Sequence, residues 1–112
     1  MRRGEIWWAS LQSPKGSSPG FRRPVVIVQA NEFTESRIAT VICATITGNE
    51  RLAIAPGNVR VAGRGVGVRA GSVVNVSQLV TLDKTALTER IGRLSEQMLE
   101  SLDAGLRLVL SL

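Results

Sequence analysis

Apolar positions along this chain recur mostly with the period of two that marks strands; only the end of the chain takes the helical period. Glu5-Ile6-Trp7-Trp8-Ala9-Ser10-Leu11 reads as a first strand. Its adjacent tryptophans point to opposite faces, which sends one into the core and leaves the other free to meet solvent or a base. Residues 24–30 are apolar on both faces, the pattern of a central strand. Ile38 to Ile46 is a third run of the same kind, ended by Thr47 and Gly48. Further strands are expected at Asn58–Ala62 and over Gly71-Ser72-Val73-Val74-Asn75-Val76. In the latter, Val74 and Val76 share one face, while Val73, Asn75 and Ser77 share the other, so Asn75 and Ser77 face a site or solvent.

The remaining pattern gives connections and one helix. Residues 12–21 are rich in Ser, Gly and Pro, and Asn31 to Ser36 form a polar connection. Gly63-Arg64-Gly65-Val66-Gly67 has the wrong spacing for a dinucleotide-binding loop. Asp83 is placed to cap a single helical turn, Lys84–Thr88, and Ile91-Gly92-Arg93-Leu94 is a short strand or link. Ser95 caps the one long helix, with Glu96 in its first turn. Met98, Leu102, Leu106, Val109 and Leu110 follow helical spacing and form its apolar stripe. Five or six short strands and a terminal helix predict a mainly β fold, a small and strongly bent barrel with a C-terminal helix packed on it. At 112 residues, one domain over residues 1–112 is expected.

Charge and composition narrow the function. The net charge is +5, and its distribution matters more than its size. Residues 6–31 contain no Asp or Glu and carry Lys15, Arg22 and Arg23. Residues 51–82 also lack acids and carry Arg51, Arg60, Arg64 and Arg69. Such segregation predicts one basic face suited to a polyanion. The chain has no histidine, so imidazole acid–base chemistry is excluded, and the single Cys43 excludes a disulfide framework or a cysteine zinc site. Cys43 lies within an apolar run and is expected as a buried thiol rather than a nucleophile. No metal or other cofactor is expected. No apolar run approaches the roughly 18 residues a membrane span needs. A cytoplasmic protein without membrane contact is expected.

The segment Arg22-Arg23-Pro24-Val25-Val26-Ile27-Val28 stands out chemically. Pro24 fixes its own φ and drives Arg23 into an extended conformation, so a guanidinium is held at a strand entrance. A strand backed by a core can position such a charge for chemistry.

Taken together, these segments resemble the MazF/PemK (Kid) family of toxin endoribonucleases. The resemblance runs through Arg3-Gly4-Glu5-Ile6-Trp7-Trp8, Gly16-Ser17, Arg22 to Val28, Thr40 to Thr47, Ser72 to Lys84, Ile91 to Ser95 and the closing Leu106-Arg107-Leu108-Val109-Leu110. It implies an SH3-like barrel of the CcdB/PemK type that forms a homodimer. It implies metal-independent, sequence-specific cleavage of single-stranded RNA to a 2′,3′-cyclic phosphate and a 5′-hydroxyl, which inhibits translation and growth. It implies a cognate MazE-like antitoxin whose acidic, flexible tail occupies the RNA groove. The catalytic pair of the family maps onto Arg23 and Thr47. Lys15, Gly16, Ser17, Arg22, Asn75, Ser77 and Gln78 are the expected RNA-binding residues. The chain departs from some relatives in having Ser18-Pro19 after Gly-Ser, and neutral Asn75 and Ser77 where those relatives have Arg and Asp. No carboxylate base is then evident, since Glu5 and Glu50 are remote candidates. Two alternatives stay open from the residues themselves: a non-catalytic, CcdB-like poison that binds DNA gyrase, and a passive RNA-binding barrel. The apolar end of the helix, Leu108 to Leu112, is read as buried, which disfavours the gyrase poison.

Overall fold

The computed structural model describes residues 1–11, 21–61, 63 and 65–112. Six strands make one antiparallel sheet: β1 (Glu5–Ser10), β2 (Arg22–Ile27), β3 (Thr40–Thr47), β4 (Val59–Arg60), β5 (Val73–Asp83) and β6 (Leu87–Arg93). Their order across the sheet is β4-β5-β3-β2-β1-β6. Helix α1 (Asn31–Thr34) joins β2 to β3, and helix α2 (Glu96–Leu110) follows β6. This is the expected mainly β fold with a C-terminal helix. The sheet is barrel-like rather than closed, because β4 and β6 stand at its two edges among the described residues.

The apolar runs of the central strands bury residues on both faces, with Ile42 of β3 left exposed. On one face Ile6, Val26, Ala44, Ile46, Val74 and Val76 pack under Leu102 and Leu106 of α2. On the other, Ala9, Val25, Ile27, Val41, Cys43 and Leu87 form a second core where the sheet folds over itself. The register places Ile6 opposite Val26, and Val26 opposite Ala44, so neighbouring strands send the same positions to the same side. A one-residue slip would exchange the two cores, which pins the alignment. Cys43 is fully buried, and burial pushes its thiol up to about 12, in agreement with an inert core residue.

Several expectations are corrected. β5 runs to Asp83 instead of ending at Val76, because Val80 and Leu82 resume the apolar alternation after the polar Ser77-Gln78 step. The Asp83 side chain caps nothing; Lys84–Ala86 is a single 3-10 turn, and Leu87–Arg93 is a full edge strand with exposed Glu89 and Arg90. Charged side chains of this kind protect an edge from unwanted pairing. Asn31–Thr34, read as a polar connection, is helical, and Lys84 Nζ donates to the Thr34 and Ser36 carbonyls near its end. Of the strand expected at Asn58–Ala62, only Val59–Arg60 pairs as β4, and Ala62 lies outside the described residues. Neither tryptophan is fully buried or fully exposed. In α2, Leu102 and Leu106 are buried as expected, but Val109 and Leu110 are exposed. Leu108 and Leu112 are exposed too, so the apolar end of the chain does not enter the core. That finding overturns the burial expected of this segment, so burial no longer argues against a gyrase poison; Arg23-Pro24 and Thr47 still do.

Two contacts hold the frame around the sheet. Helix α2 crosses the turn before β4 so closely that a Cβ on Gly105 would lie 2.1 Å from the Gly57 carbonyl oxygen. Arg3 ties the N-terminal segment to both sheet and helix: its Nε donates to the Val28 carbonyl (2.8 Å) and its Nη1 to Asp103 Oδ1 (2.6 Å). Gly105→Ala is therefore expected to force helix and turn apart and destabilise the fold by about 1–3 kcal/mol, read by urea denaturation. Glu5 offers a second test. Burial raises its carboxyl, but the Arg2 N–H, Trp7 Nε1, Arg90 and the N-terminal amine together hold it below the ordinary value of 4.5. A depressed carboxyl stabilises the fold above its unfolded value and loses that contribution as pH falls through its folded value. Glu5→Gln is expected to lower stability by about 1–2 kcal/mol at pH 7, with the difference from the parent shrinking below pH 4.5.

Candidate active site

The site begins with a break in the sheet. From Thr40 to Ala44, β3 pairs with Asp83 back to Leu79, but Thr45 pairs with Asn75. Val76, Ser77 and Gln78 are therefore left out of the ladder and bulge from it. Side chains take over their hydrogen bonding. Asn58 Oδ1 accepts from the Val76 N–H (3.0 Å), while its Nδ2 donates to the Leu52 carbonyl (2.9 Å). Asn75 Oδ1 accepts from both the Ser77 N–H (3.3 Å) and the Ser77 hydroxyl (2.8 Å). Thr45 Oγ1 donates to Gln78 Oε1 across the gap (3.1 Å).

The bulge forms one wall of an open groove of about 780 Å³, in which Arg23, Thr45, Thr47, Asn75, Ser77 and Gln78 come together. The β2–β3 ladder starts at Val25, one residue after Pro24, which has no N–H to give. Continuing that register two residues outward sets Arg23 across from Thr47. The strands are thus open where these two side chains meet the groove. Arg23 is exposed, and its guanidinium carbon lies 4.9 Å from the centroid of the Phe21 ring. That stacking restrains a long side chain without neutralising it. Thr47 Oγ1 accepts from the Asn49 N–H (3.1 Å), so its own O–H remains available to donate into the groove.

The acids are placed elsewhere. Arg2 pairs with Glu35, Arg3 with Asp103, Arg22 with Glu89, and Arg90 with Glu5. No carboxylate is among the described residues lining the groove. Glu50 turns toward Gly71, where an added Cβ would meet its Oε1. Among the described residues, Arg23 has no ion-pair partner, so its charge faces the groove uncompensated. No three His, Cys, Asp or Glu side chains converge as a metal-ligand set among the described residues.

Of the expected site residues, Arg23, Thr47, Asn75, Ser77 and Gln78 share this groove. Arg22 does not line it: alternation turns its guanidinium to the other face, 5.1 Å from the centroid of the Trp8 ring. Lys15, Gly16 and Ser17 lie outside the described residues. Sequence reasoning missed Phe21, Thr45 and Asn58. Thr45 had a signal, since it lies two positions before Thr47 on the same strand face. Nothing local marks Asn58, whose role comes from β5 folding back beside it.

A guanidinium and a hydroxyl donor facing one acid-free space suit an oxyanion with several oxygens, such as a phosphodiester passing through a five-coordinate state.

Comparison with known proteins identifies the family. Residues 2–110 match the family described as PemK-like, MazF-like toxin of type II toxin-antitoxin system. Endoribonuclease MazF6 of Mycobacterium tuberculosis is 47% identical over 110 residues, covering 98% of this chain and 96% of the relative. Endoribonuclease EndoA of Bacillus subtilis is 32% identical over 112 residues, covering all of this chain and 96% of that protein. Among solved structures, a mycobacterial endoribonuclease in complex with its cognate antitoxin shares the fold with a TM-score of 0.82 at 21% identity, over 100% of this chain and 96% of that one. The chain belongs to the PemK-like, MazF-like toxins of type II toxin–antitoxin systems.

Proposed function

We propose that this endoribonuclease cuts single-stranded RNA by attack of a ribose 2′-OH on the adjacent phosphorus. The O2′–P bond forms and the P–O5′ bond breaks. The 2′-OH proton passes to solvent and the departing O5′ takes one up, leaving a 2′,3′-cyclic phosphate and a 5′-hydroxyl. Arg23 holds one non-bridging oxygen and Thr47 donates to another, so both act most strongly as charge builds on the phosphate. A guanidinium keeps its proton at neutral pH, which suits a clamp better than a base. The observation that carries this reading is that Arg23 and Thr47 line one groove whose described walls hold no carboxylate. Neither role calls for a metal.

The same reading extends to partners. The acid-free groove would also accept the acidic, flexible tail of a MazE-like antitoxin, consistent with the antitoxin complex of the mycobacterial neighbour. A homodimer is supported by an apolar cleft of about 620 Å³ between the α1 region and the end of α2, lined by exposed Phe33, Ile42, Leu110 and Leu112. Cleavage of cytoplasmic messenger RNA would arrest translation and growth.

The test is incubation of the purified protein with a mixed-sequence RNA strand in EDTA. Cleavage is expected to persist, to yield cyclic phosphate ends, and to spare the all-deoxy strand. Arg23→Ala and Thr47→Ala should each slow it by on the order of 10²–10³. Equal cleavage of the deoxy strand, or full rates in both variants, would overturn the mechanism.

A further inference from the structure

The bulge that walls the groove does more than bend β5, because its hydrogen bonds fix which polar groups remain unused. Asn75 spends its amide oxygen on Ser77, so its Nδ2 group, which has no acceptor among the described residues, is left as a donor. Ser77 spends its hydroxyl proton on Asn75, so its oxygen is left as an acceptor. Gln78 spends its amide oxygen on the Thr45 hydroxyl, so its Nε2 group is left as a donor. In chain order Asn75 at the ladder's edge and the bulge residues Ser77 and Gln78 therefore offer a donor, an acceptor and a donor. All three residues line the groove that holds Arg23 and Thr47, and Ser77 and Gln78 are exposed to it.

The base edge complementary to that set is acceptor, donor, acceptor. Uracil has this edge in O4, N3–H and O2. Guanine matches two of the three positions. Cytosine sets its amino group and unprotonated ring nitrogen against the pattern, and adenine does the same, so each would leave groups unpaired in a confined site. We propose that Asn75, Ser77 and Gln78 form a base-reading cradle for a uracil next to the scissile phosphate, with Thr45 as the positioning residue that orients the Gln78 amide. This rests on the RNA-cleavage reading above and assigns the specificity of the same groove. Single-stranded RNA is the substrate form in which this base edge is free to be read.

Discrimination by such a set of hydrogen bonds is on the order of 10- to 100-fold. The experiment uses one cleaved oligoribonucleotide, with each uracil beside the cut replaced in turn by cytosine. Cleavage is measured on all-ribose strands, and binding on strands carrying a single 2′-deoxynucleotide at the cut. At one position, uracil-to-cytosine exchange should reduce both cleavage and binding by on the order of 10- to 100-fold. Gln78→Glu, which turns the terminal donor into an acceptor, should abolish or invert that ratio. Thr45→Val should relax the ratio, and Thr45→Ser, which restores the hydroxyl, should restore it. A purely structural role for Thr45 would change overall activity and leave the ratio alone. Cleavage with no uracil-sensitive position, or an unchanged ratio in Gln78→Glu, overturns the cradle and leaves the nuclease standing. Uracil-dependent binding without cleavage overturns the nuclease and leaves the cradle. No binding to any strand overturns both.

Discussion

The site depends on three residues of β5 being kept out of the sheet. A bulge of this size exposes backbone groups that a ladder would have satisfied, and leaving them unpaired beside a core would be expensive. Asn58 and Asn75 supply partners for the Val76 and Ser77 N–H groups, Thr45 ties down the Gln78 side chain, and none of the three is exposed. The helix contributes indirectly. The close crossing of Gly105 and Gly57 holds the turn that carries Asn58, and Asn58 holds the bulge. Packing on the α2 side of the sheet is thus linked to the polar geometry of the groove on the other side.

A second constraint acts at the entrance of β2. Pro24 ends the β2–β3 ladder and fixes the extended conformation of Arg23, which stays paired with Ala9 of β1 on its other side. Phe21 then lies under the guanidinium at 4.9 Å. A free arginine side chain loses about 2 kcal/mol of rotamer freedom when it is fixed. Stacking on Phe21 restricts that freedom before any ligand arrives. Four of the acids are engaged with Arg2, Arg3, Arg22 and Arg90, and none lines the groove among the described residues. Most of those surface pairs contribute little to stability. Their placement matters more for the field, because it leaves the groove as a sink for negative charge.

How far all this could be read in the sequence depends on the range of the interaction. The two-faced burial of β2 was legible, because an unbroken apolar run of strand length has few alternatives. The Ser95 cap was legible for the same local reason: its hydroxyl accepts from the Met98 N–H within one turn. Arg23 and Thr47 were expected from family resemblance, and their sharing of one groove follows from a register that no local pattern states. What failed was long-range. The second half of β5 was lost because Ser77-Gln78 looks like the end of a strand, when it is a bulge within one. Only the end of β6 was read, as a short strand or link from Ile91, because the exposed charges before it, acceptable at an edge, hide its alternation. The end of α2 was misread because helical spacing identifies an apolar face without showing whether anything in the same chain covers it. Leu110 and Leu112 line an open cleft with Phe33 instead.

Charge and hydrogen bonding divide the work of the groove between them. A guanidinium on a phosphate attracts every nucleotide alike, so Arg23 can supply affinity and rate without any preference for sequence. An acidic peptide presented in extended form would satisfy the same charge. Selection among RNA sequences must come from groups that are uncharged, directional and fixed in donor or acceptor state, and Asn75, Ser77 and Gln78 are such groups beside Arg23 and Thr47. Replacement of the carboxylate and guanidinium that some relatives have at positions 77 and 75 by neutral side chains removes charge from this wall. What it gains is an edge whose pattern is set by its own internal hydrogen bonds, so that under the proposed mechanism choosing the base and stabilising the reacting phosphate would fall to different residues of one groove.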